Sequence, residues 1–207
     1  SIEKIEFSNG LRVLLKEDHR LPFVQMRAMF QGGVFSEIIA NCGVTQLMAK
    51  LLVKGTTRKT GQQIAEEIES VGGGIDAYGG NNSFGVTLEI MSDDHILGVN
   101  MLADVLHNPS FPSEALERQR EVQMAAIRAQ DDKLLQKTFR LMKENLFGGH
   151  GYGLDALGTQ DSVTNLDLGS VTDLHKQLAV PNNSVIAIFG DIKIFNSSLL
   201  TIFLIHK

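Results

Sequence analysis

The segment from residue 84 to residue 91 constrains the fold most, because every second side chain in it is apolar. The apolar positions are Phe84, Val86, Leu88 and Ile90. A period of two places these side chains on one side of an extended chain, which is typical of a strand with one buried face. Residues 75–80 come before it across a turn at residues 80–83, so we expect the two segments to be strands of one sheet.

Further segments show strand or helix patterns on both sides of this pair. Strands are predicted at residues 23–31, at residues 184–189 and as a pair within residues 4–16 around the turn dipeptide Asn9-Gly10. Amphipathic helices are predicted at residues 43–53, 61–71 (with Thr60 as N-cap), 92–106, 113–146 (with Asp131-Asp132 as a candidate break) and 168–178. This order indicates an α+β fold, with a largely antiparallel or mixed sheet of about six strands and helices packed on one face.

Composition places the chain among ordinary globular proteins. Of its 207 residues, 43% are hydrophobic and 21% are charged, and the formal net charge is -5. Binding to nucleic acid would need clustered lysine and arginine residues, and the sequence does not suggest such a cluster. No apolar run reaches the roughly 18 residues of a membrane span, and no signal peptide opens the chain, so we expect a soluble protein. Because a leader can be removed, the compartment stays open, with a bacterial cytoplasm or periplasm as candidates.

Isolated residues in the chain give no pattern for hydrolytic chemistry. No two of the six histidines are three or four residues apart, and Cys42 is expected to be a small buried side chain. His150, in a glycine-rich loop, is interpreted as a loop anchor rather than as a ligand or base. The adjacent carboxylates Asp93-Asp94 and Asp131-Asp132 are interpreted as helix caps and solvated surface, because neighbours on a helix do not face each other.

One helical segment, residues 43–56, carries the most informative motif. It reads Gly-Val-Thr-Gln-Leu-Met-Ala-Lys-Leu-Leu-Val-Lys-Gly-Thr. It resembles the pitrilysin/insulinase family of zinc peptidases, in which H-x-x-E-H on a helix precedes Lys-Gly-Thr. In that motif two histidines one turn apart hold the zinc, and the glutamate acts on the metal-bound water. Here Gln46 stands at the first histidine, Ala49 at the glutamate and Lys50 at the second histidine.

Other segments support the resemblance in the family's order. They are Asn9–Val13, Gly72–Tyr78, Glu117–Arg128, His150–Gly158 and Asn182–Asp191. In the third of these segments the family carries paired glutamates, one of them the third zinc ligand, and here both positions are alanines, Ala125 and Ala126. The resemblance implies a domain over residues 1–192 without the metal ligands and the catalytic base. Residues 193–207 do not resemble the helix that follows in the family, and we interpret them as an atypical apolar tail, from truncation or an altered end.

The resemblance implies a role other than catalysis by this chain alone. We expect it to bind no zinc and to cut no peptide by itself, with zinc only in an active partner. In the family a degenerate half pairs with an active one. The leading hypothesis is therefore a non-catalytic subunit or half of a zinc metallopeptidase complex that shapes the chamber and helps to hold peptide substrate. Its partner is expected to carry an intact H-x-x-E-H and to share the peptide, whereas the isolated chain could form a homodimer.

Two elements are candidates for contacts in such a chamber. Asp76-Ala77-Tyr78 match the family's edge strand, to which a peptide adds through its backbone, and an ordinary hairpin is the alternative reading. Lys50 is expected to pair with a buried acid or to hold its helix where zinc is held in the family.

The alternative function is that of a structural scaffold subunit in a larger complex, of the respiratory-complex core-protein type. A third alternative is an enzyme whose site is assembled only in space.

Overall fold

In the computed structural model, residues 2–192 form one six-stranded sheet with helices on one face. The strands are β1 (Glu3–Glu6), β2 (Arg12–Glu17), β3 (Phe23–Gln31), β4 (Gly74–Gly79), β5 (Ser83–Met91) and β6 (Ser184–Gly190). The α-helices are α1 (Val44–Leu52), α2 (Gly61–Ser70), α3 (His95–His107), α4 (Ser113–Asp131), α5 (Leu134–Phe147), α6 (Gln160–Asn165) and α7 (Leu168–Leu178). The structure describes residues 2–192, so the interpretation of residues 193–207 as an atypical tail lies outside the described residues.

The strands lie in the order β1-β2-β6-β3-β5-β4. Neighbours are antiparallel except β2 and β6, which pair in parallel. The predicted α+β fold with a mixed sheet of about six strands is therefore confirmed. Strand β4 ends this order, and within residues 2–192 it pairs with no strand other than β5, so its second edge is free of strand pairing.

One face of the sheet is buried and the other is open. In β3 every second residue from Val24 to Phe30 is buried, and the residues between them are exposed. Helices α1 and α3 contact the sheet and share one hydrophobic core with its buried side chains. Because only one set of alternating side chains enters the core, the prediction that helices pack on one face is confirmed.

Helix α1 is packed at the centre of the helical layer. Its side chains Leu47, Met48, Leu51 and Leu52 are all fully buried. Burial of each such side chain contributes about 1.5–3 kcal/mol. The helix contacts β4, β5, α4 and α7, and this packing holds its remaining side chains beside the edge strand.

The helical stretch predicted at residues 113–146 is divided into two helices. Helix α4 ends at Asp131 and α5 begins at Leu134, so the candidate break at Asp131-Asp132 is confirmed. An ion pair between Asp131 and Arg140 joins the two helices across the break. None of the side chains of α5 is buried, although the helix is rich in leucine and phenylalanine.

Candidate functional site between helix α1 and strand β4

Two side chains one turn apart on α1 reach the edge strand β4. The side-chain oxygen Oε1 of Gln46 accepts a hydrogen bond of 3.0 Å from the backbone N–H of Gly79. The ammonium Nζ of Lys50 donates a hydrogen bond of 2.9 Å to Oδ1 of Asp76. Residues four apart lie on the same face of a helix, so the two positions that the resemblance matches to zinc-binding histidines both contact β4 in this chain.

Close packing of α1 on β4 depends on a glycine. A β-carbon at Gly79 would lie 2.7 Å from the α-carbon of Gln46 and 2.8 Å from its backbone nitrogen. These atoms belong to the helix backbone, so only a shift of the helix itself could relieve the contact. Any other residue at position 79 would therefore push α1 away from β4 and lengthen the Gln46 hydrogen bond.

The ion pair between Lys50 and Asp76 passes around the free edge of the sheet. Ala77 of β4 is buried in the core beside α1, whereas its neighbour Asp76 is exposed. Successive side chains of a strand point to opposite faces, so Asp76 lies on the open face and α1 on the buried face. Strand β5 closes the other side of β4, and the pair can therefore join the two faces only across the free edge.

The acid that pairs with Lys50 is not buried, so that part of the expectation was wrong. The side chain of Asp76 is 72% exposed and that of Lys50 is 33% exposed. Partial burial would raise the pKa of the Asp76 carboxyl, but the hydrogen bonds from Lys50 and the Ala77 backbone and the charges of Lys50 and Lys54 outweigh it. The pKa of Asp76 is therefore lowered from its ordinary value of 3.8, and its carboxyl is ionised at neutral pH.

The backbone of β4 presents alternate residues to the free edge. The N–H of Gly80 donates to the carbonyl of Ser83 at 2.8 Å, which closes the β4–β5 hairpin. In an antiparallel pair, the backbone N–H and C=O groups of every second residue bond to the partner strand. The backbone groups of the residues between them point toward the opposite edge. Ile75, Ala77 and Gly79 are the outward residues of β4, and the N–H of Gly79 is taken by Gln46. Tyr78 lies on the open face with Asp76, and its hydroxyl is 3.4 Å from Oγ of Ser83.

The remaining positions that the resemblance matches to the zinc site are alanines. Ala49 is fully buried in the core. On α4, Ala125 is exposed and Ala126 is half-buried, and α4 packs against α1. None of these methyl groups can donate or accept a hydrogen bond or bind a metal ion.

Sequence reasoning missed Gln123, which fixes α4 to the start of α1. Its amide Nε2 donates to the carbonyl oxygens of Gly43 at 3.0 Å and Leu157 at 2.8 Å. The side chain is buried, so these bonds replace water that the amide has lost. No local pattern distinguishes this glutamine from the other polar residues of α4.

Sequence reasoning also missed Glu37, a carboxylate that is only 4% exposed. Its two oxygens accept hydrogen bonds from the backbone N–H groups of Gly43 at 2.8 Å and Thr45 at 2.9 Å. A negative charge is favourable at a helix N-terminus. Burial raises the pKa of Glu37 above its ordinary value of 4.5, and the hydrogen bonds from Thr45 and Gly43 oppose this shift. Glu37 therefore positions the first turn of α1.

The loop around His150 packs beside the β4–β5 turn. The backbone of His150 forms an isolated antiparallel β-bridge with Ile38, which fits the interpretation of His150 as a loop anchor. The Tyr152 ring makes an edge contact with Phe35 at 4.6 Å between centroids, and its hydroxyl accepts from Asn82 at 3.3 Å. Within residues 2–192, no group of three or more His, Cys, Asp and Glu side chains is placed to hold a metal ion.

Comparison with known proteins assigns the chain to a family. The sequence profile of insulinase (peptidase family M16) matches residues 12–160, which include both α1 and α4. The chain belongs to the insulinase family. The resemblance to the pitrilysin/insulinase family, predicted from the motif in α1, is thereby confirmed.

Relatives of this insulinase-family chain differ in their described roles. The uncharacterized zinc protease YmxG of Bacillus subtilis is 21% identical over 92% of this chain and 47% of its own length. Subunit 1 of the mitochondrial cytochrome b-c1 complex of Bos taurus is 24% identical over 81% of this chain and 35% of its own length.

A solved structure shares the fold closely. The peptidase M16 inactive domain from Pseudomonas fluorescens superposes with a TM-score of 0.90, at 23% identity, over 98% of this chain and 49% of that one. At this identity the likeness establishes the fold alone. The chain spans less than half of the length of each of these three proteins.

No helix among residues 2–192 is both long and apolar enough to cross a membrane.

Proposed function

We propose that this chain is a non-catalytic half or subunit of an insulinase-type zinc peptidase complex. Its role is to shape the chamber and to help hold a peptide that a partner with an intact H-x-x-E-H cleaves. The observation that carries the proposal is the engagement of Gln46 and Lys50 with β4. These two side chains stand where the family has zinc ligands, and here they form hydrogen bonds to a strand.

The residues at these positions do not fit a zinc ion. Zinc in proteins is bound by cysteine, histidine and carboxylate side chains. The oxygen of Gln46 already accepts from Gly79, and Lys50 carries a positive charge that repels a dication. The alanines at positions 49, 125 and 126 have no ligand atom. We therefore propose that the chain holds no catalytic zinc and that the peptidase activity resides in its partner.

Strand β4 supports the peptide-holding part of the proposal. It lies at the end of the sheet, with Asp76 and Tyr78 on the open face. The outward N–H and C=O groups of Ile75 and Ala77 are the kind that an extended peptide pairs with when it adds to a sheet. Backbone pairing of this kind does not require any residue of the lost zinc site.

Affinity purification of the tagged full-length protein from its native cells tests the proposal. We expect mass spectrometry to identify a stoichiometric relative that carries H-x-x-E-H. Zinc content and peptide cleavage are then measured for the complex and for this chain alone, and both should be confined to the complex. Stoichiometric zinc in the isolated chain that is lost on Gln46→Ala or Lys50→Met would contradict the proposal.

A scaffold role is the second candidate function. It is favoured by the similarity to subunit 1 of the cytochrome b-c1 complex, whose match covers 81% of this chain. In such a role the domain would serve assembly and need neither zinc nor peptide. The same purification separates the two candidates, because recovery of redox subunits without a relative that carries H-x-x-E-H would support the scaffold.

A further inference from the structure

The free edge of β4 is obstructed at two points by side chains of α1. Near its end, Gln46 occupies the outward N–H of Gly79. In its middle, the Lys50–Asp76 pair crosses the edge from one face to the other. A peptide strand that adds to β4 must therefore pair with the half that contains Ile75 and Ala77, and it must displace Asp76 from Lys50.

Opening this ion pair affects its two members unequally. The Asp76 side chain is 72% exposed, so water can replace Lys50 around its carboxylate. The Lys50 side chain is only 33% exposed, and an ion that is partly removed from water is expensive to leave unpaired. An incoming peptide is favoured most if it supplies a new negative partner for Lys50.

Positive charges near the Lys50–Asp76 pair also favour a negatively charged peptide side chain. Lys54 acts on the Asp76 carboxylate through its positive charge. Arg27 lies on the open face two strands away, with Thr87 between it and Asp76 in the register. Within residues 2–192 its side chain forms no ion pair. Glu89 of β5 lies on the same face and opposes these cations, so the local excess of positive charge is small.

We propose that β4 takes an extended peptide segment with an acidic side chain, whose carboxylate replaces Asp76 as the acceptor of the Lys50 hydrogen bond. In an added antiparallel strand, the residue opposite Asp76 has its β-carbon about 4.5–5.5 Å from that of Asp76 and on the same face. A glutamate there reaches Lys50. This selectivity rests on the proposed function, because it concerns the peptide that the chain helps to hold.

Fluorescence anisotropy with matched peptides tests the selectivity on the full chain. The probes are labelled peptides of alternating threonine and valine, about ten residues long, with glutamate, glutamine or lysine at one central position. A fourth probe is the glutamate peptide with alternate backbone nitrogens methylated, which removes the donors needed for strand pairing. We expect the glutamate peptide to bind about fivefold more tightly than the glutamine peptide, and the lysine peptide to bind most weakly.

Variants of the edge decide the cause of this order. Lys50→Met keeps the apolar stem and should abolish the preference for glutamate, whereas Lys54→Met removes a nearby charge without the hydrogen bond and should keep it. Asp76→Asn removes the native competitor and should tighten binding of the glutamate peptide. Equal affinities for the three peptides, an unchanged order in Lys50→Met, unimpaired binding of the methylated probe, or no binding at all would each overturn the inference. Co-purification of a catalytic partner would still stand in those cases, so the two failures are distinguishable.

Discussion

At the scale of single residues, Gly79 determines how closely helix and edge strand approach. Replacement by alanine places a methyl group 2.7 Å from the α-carbon of Gln46. We expect Gly79→Ala to lower the free energy of unfolding by about 1–3 kcal/mol, because overpacking forces the backbone to shift. Gly74→Ala is the matched control on the same strand, since nothing lies within 4 Å of its added methyl group. Urea denaturation of both variants measures the difference, and equal losses would contradict this account of α1 packing.

Lys50 contributes less to stability than its position suggests. Its partner Asp76 is mostly exposed, so we expect Lys50→Met to cost at most about 1 kcal/mol in urea denaturation. The pKa of Asp76 is lowered in the folded state. The stabilisation is therefore complete above the ordinary value of 3.8 and is lost as the pH falls through the lowered pKa. A much larger loss in Lys50→Met, with Lys54→Met unaffected, would show instead that Lys50 holds α1 in place.

Glu37 should make stability depend on pH in the opposite sense. Its pKa is raised in the folded state, so the folded chain retains a proton that the unfolded chain releases. As the pH rises from the ordinary value of 4.5 through the raised pKa, this group lowers the free energy of unfolding. We expect Glu37→Gln to lack this component, although it weakens the contact with Gly43 or Thr45. Denaturation at a series of pH values checks the prediction, with the exposed Glu69→Gln as control.

At the scale of elements, helices α1 and α5 have similar leucine-rich sequences but opposite environments. Leu47 of α1 is fully buried, whereas Leu135 of α5 is 76% exposed. We expect Leu47→Ala to cost about 2–5 kcal/mol because it leaves a cavity in the core. Leu135→Ala should stay within about 0.5 kcal/mol of the native chain. Thermal and urea unfolding of the pair test this contrast, which would be disproved by comparable losses.

The elements also show where periodicity stops being informative. Helix α6 was not predicted, because its residues Gln160–Asn165 are too few to show a helical repeat. A capping box between Thr159 and Ser162 marks its start instead. By contrast, α2 was predicted from its apolar spacing and from Thr60, whose side chain accepts from the Gln63 backbone at its N-terminus.

At the scale of the whole molecule, the sheet presents an open face beside an edge that α1 partly covers. A ligand that binds only the folded state raises the melting temperature by mass action. Because the residues that the resemblance matches to zinc ligands lack a ligand set, we expect excess zinc to leave Tm unchanged relative to a chelator-treated sample. A rise in Tm that disappears in the Gln46→Ala variant would mean that zinc binds beside α1 after all.

The sequence by itself determined most elements and the family, and it has Gln46 and Lys50 where the resemblance implies zinc ligands. Alternation and helical spacing are local properties, and the order of the motifs around Gln46 and Lys50 is read directly along the chain. It did not determine what those side chains do. The bonds to Asp76 and Gly79 join residues 26 and 33 positions apart. They exist because α1 docks across the edge of β4 in one register. The parallel pairing of β2 with β6, the burial of Glu37 and the outward face of α5 likewise depend on how distant elements pack, and tertiary structure alone decided them.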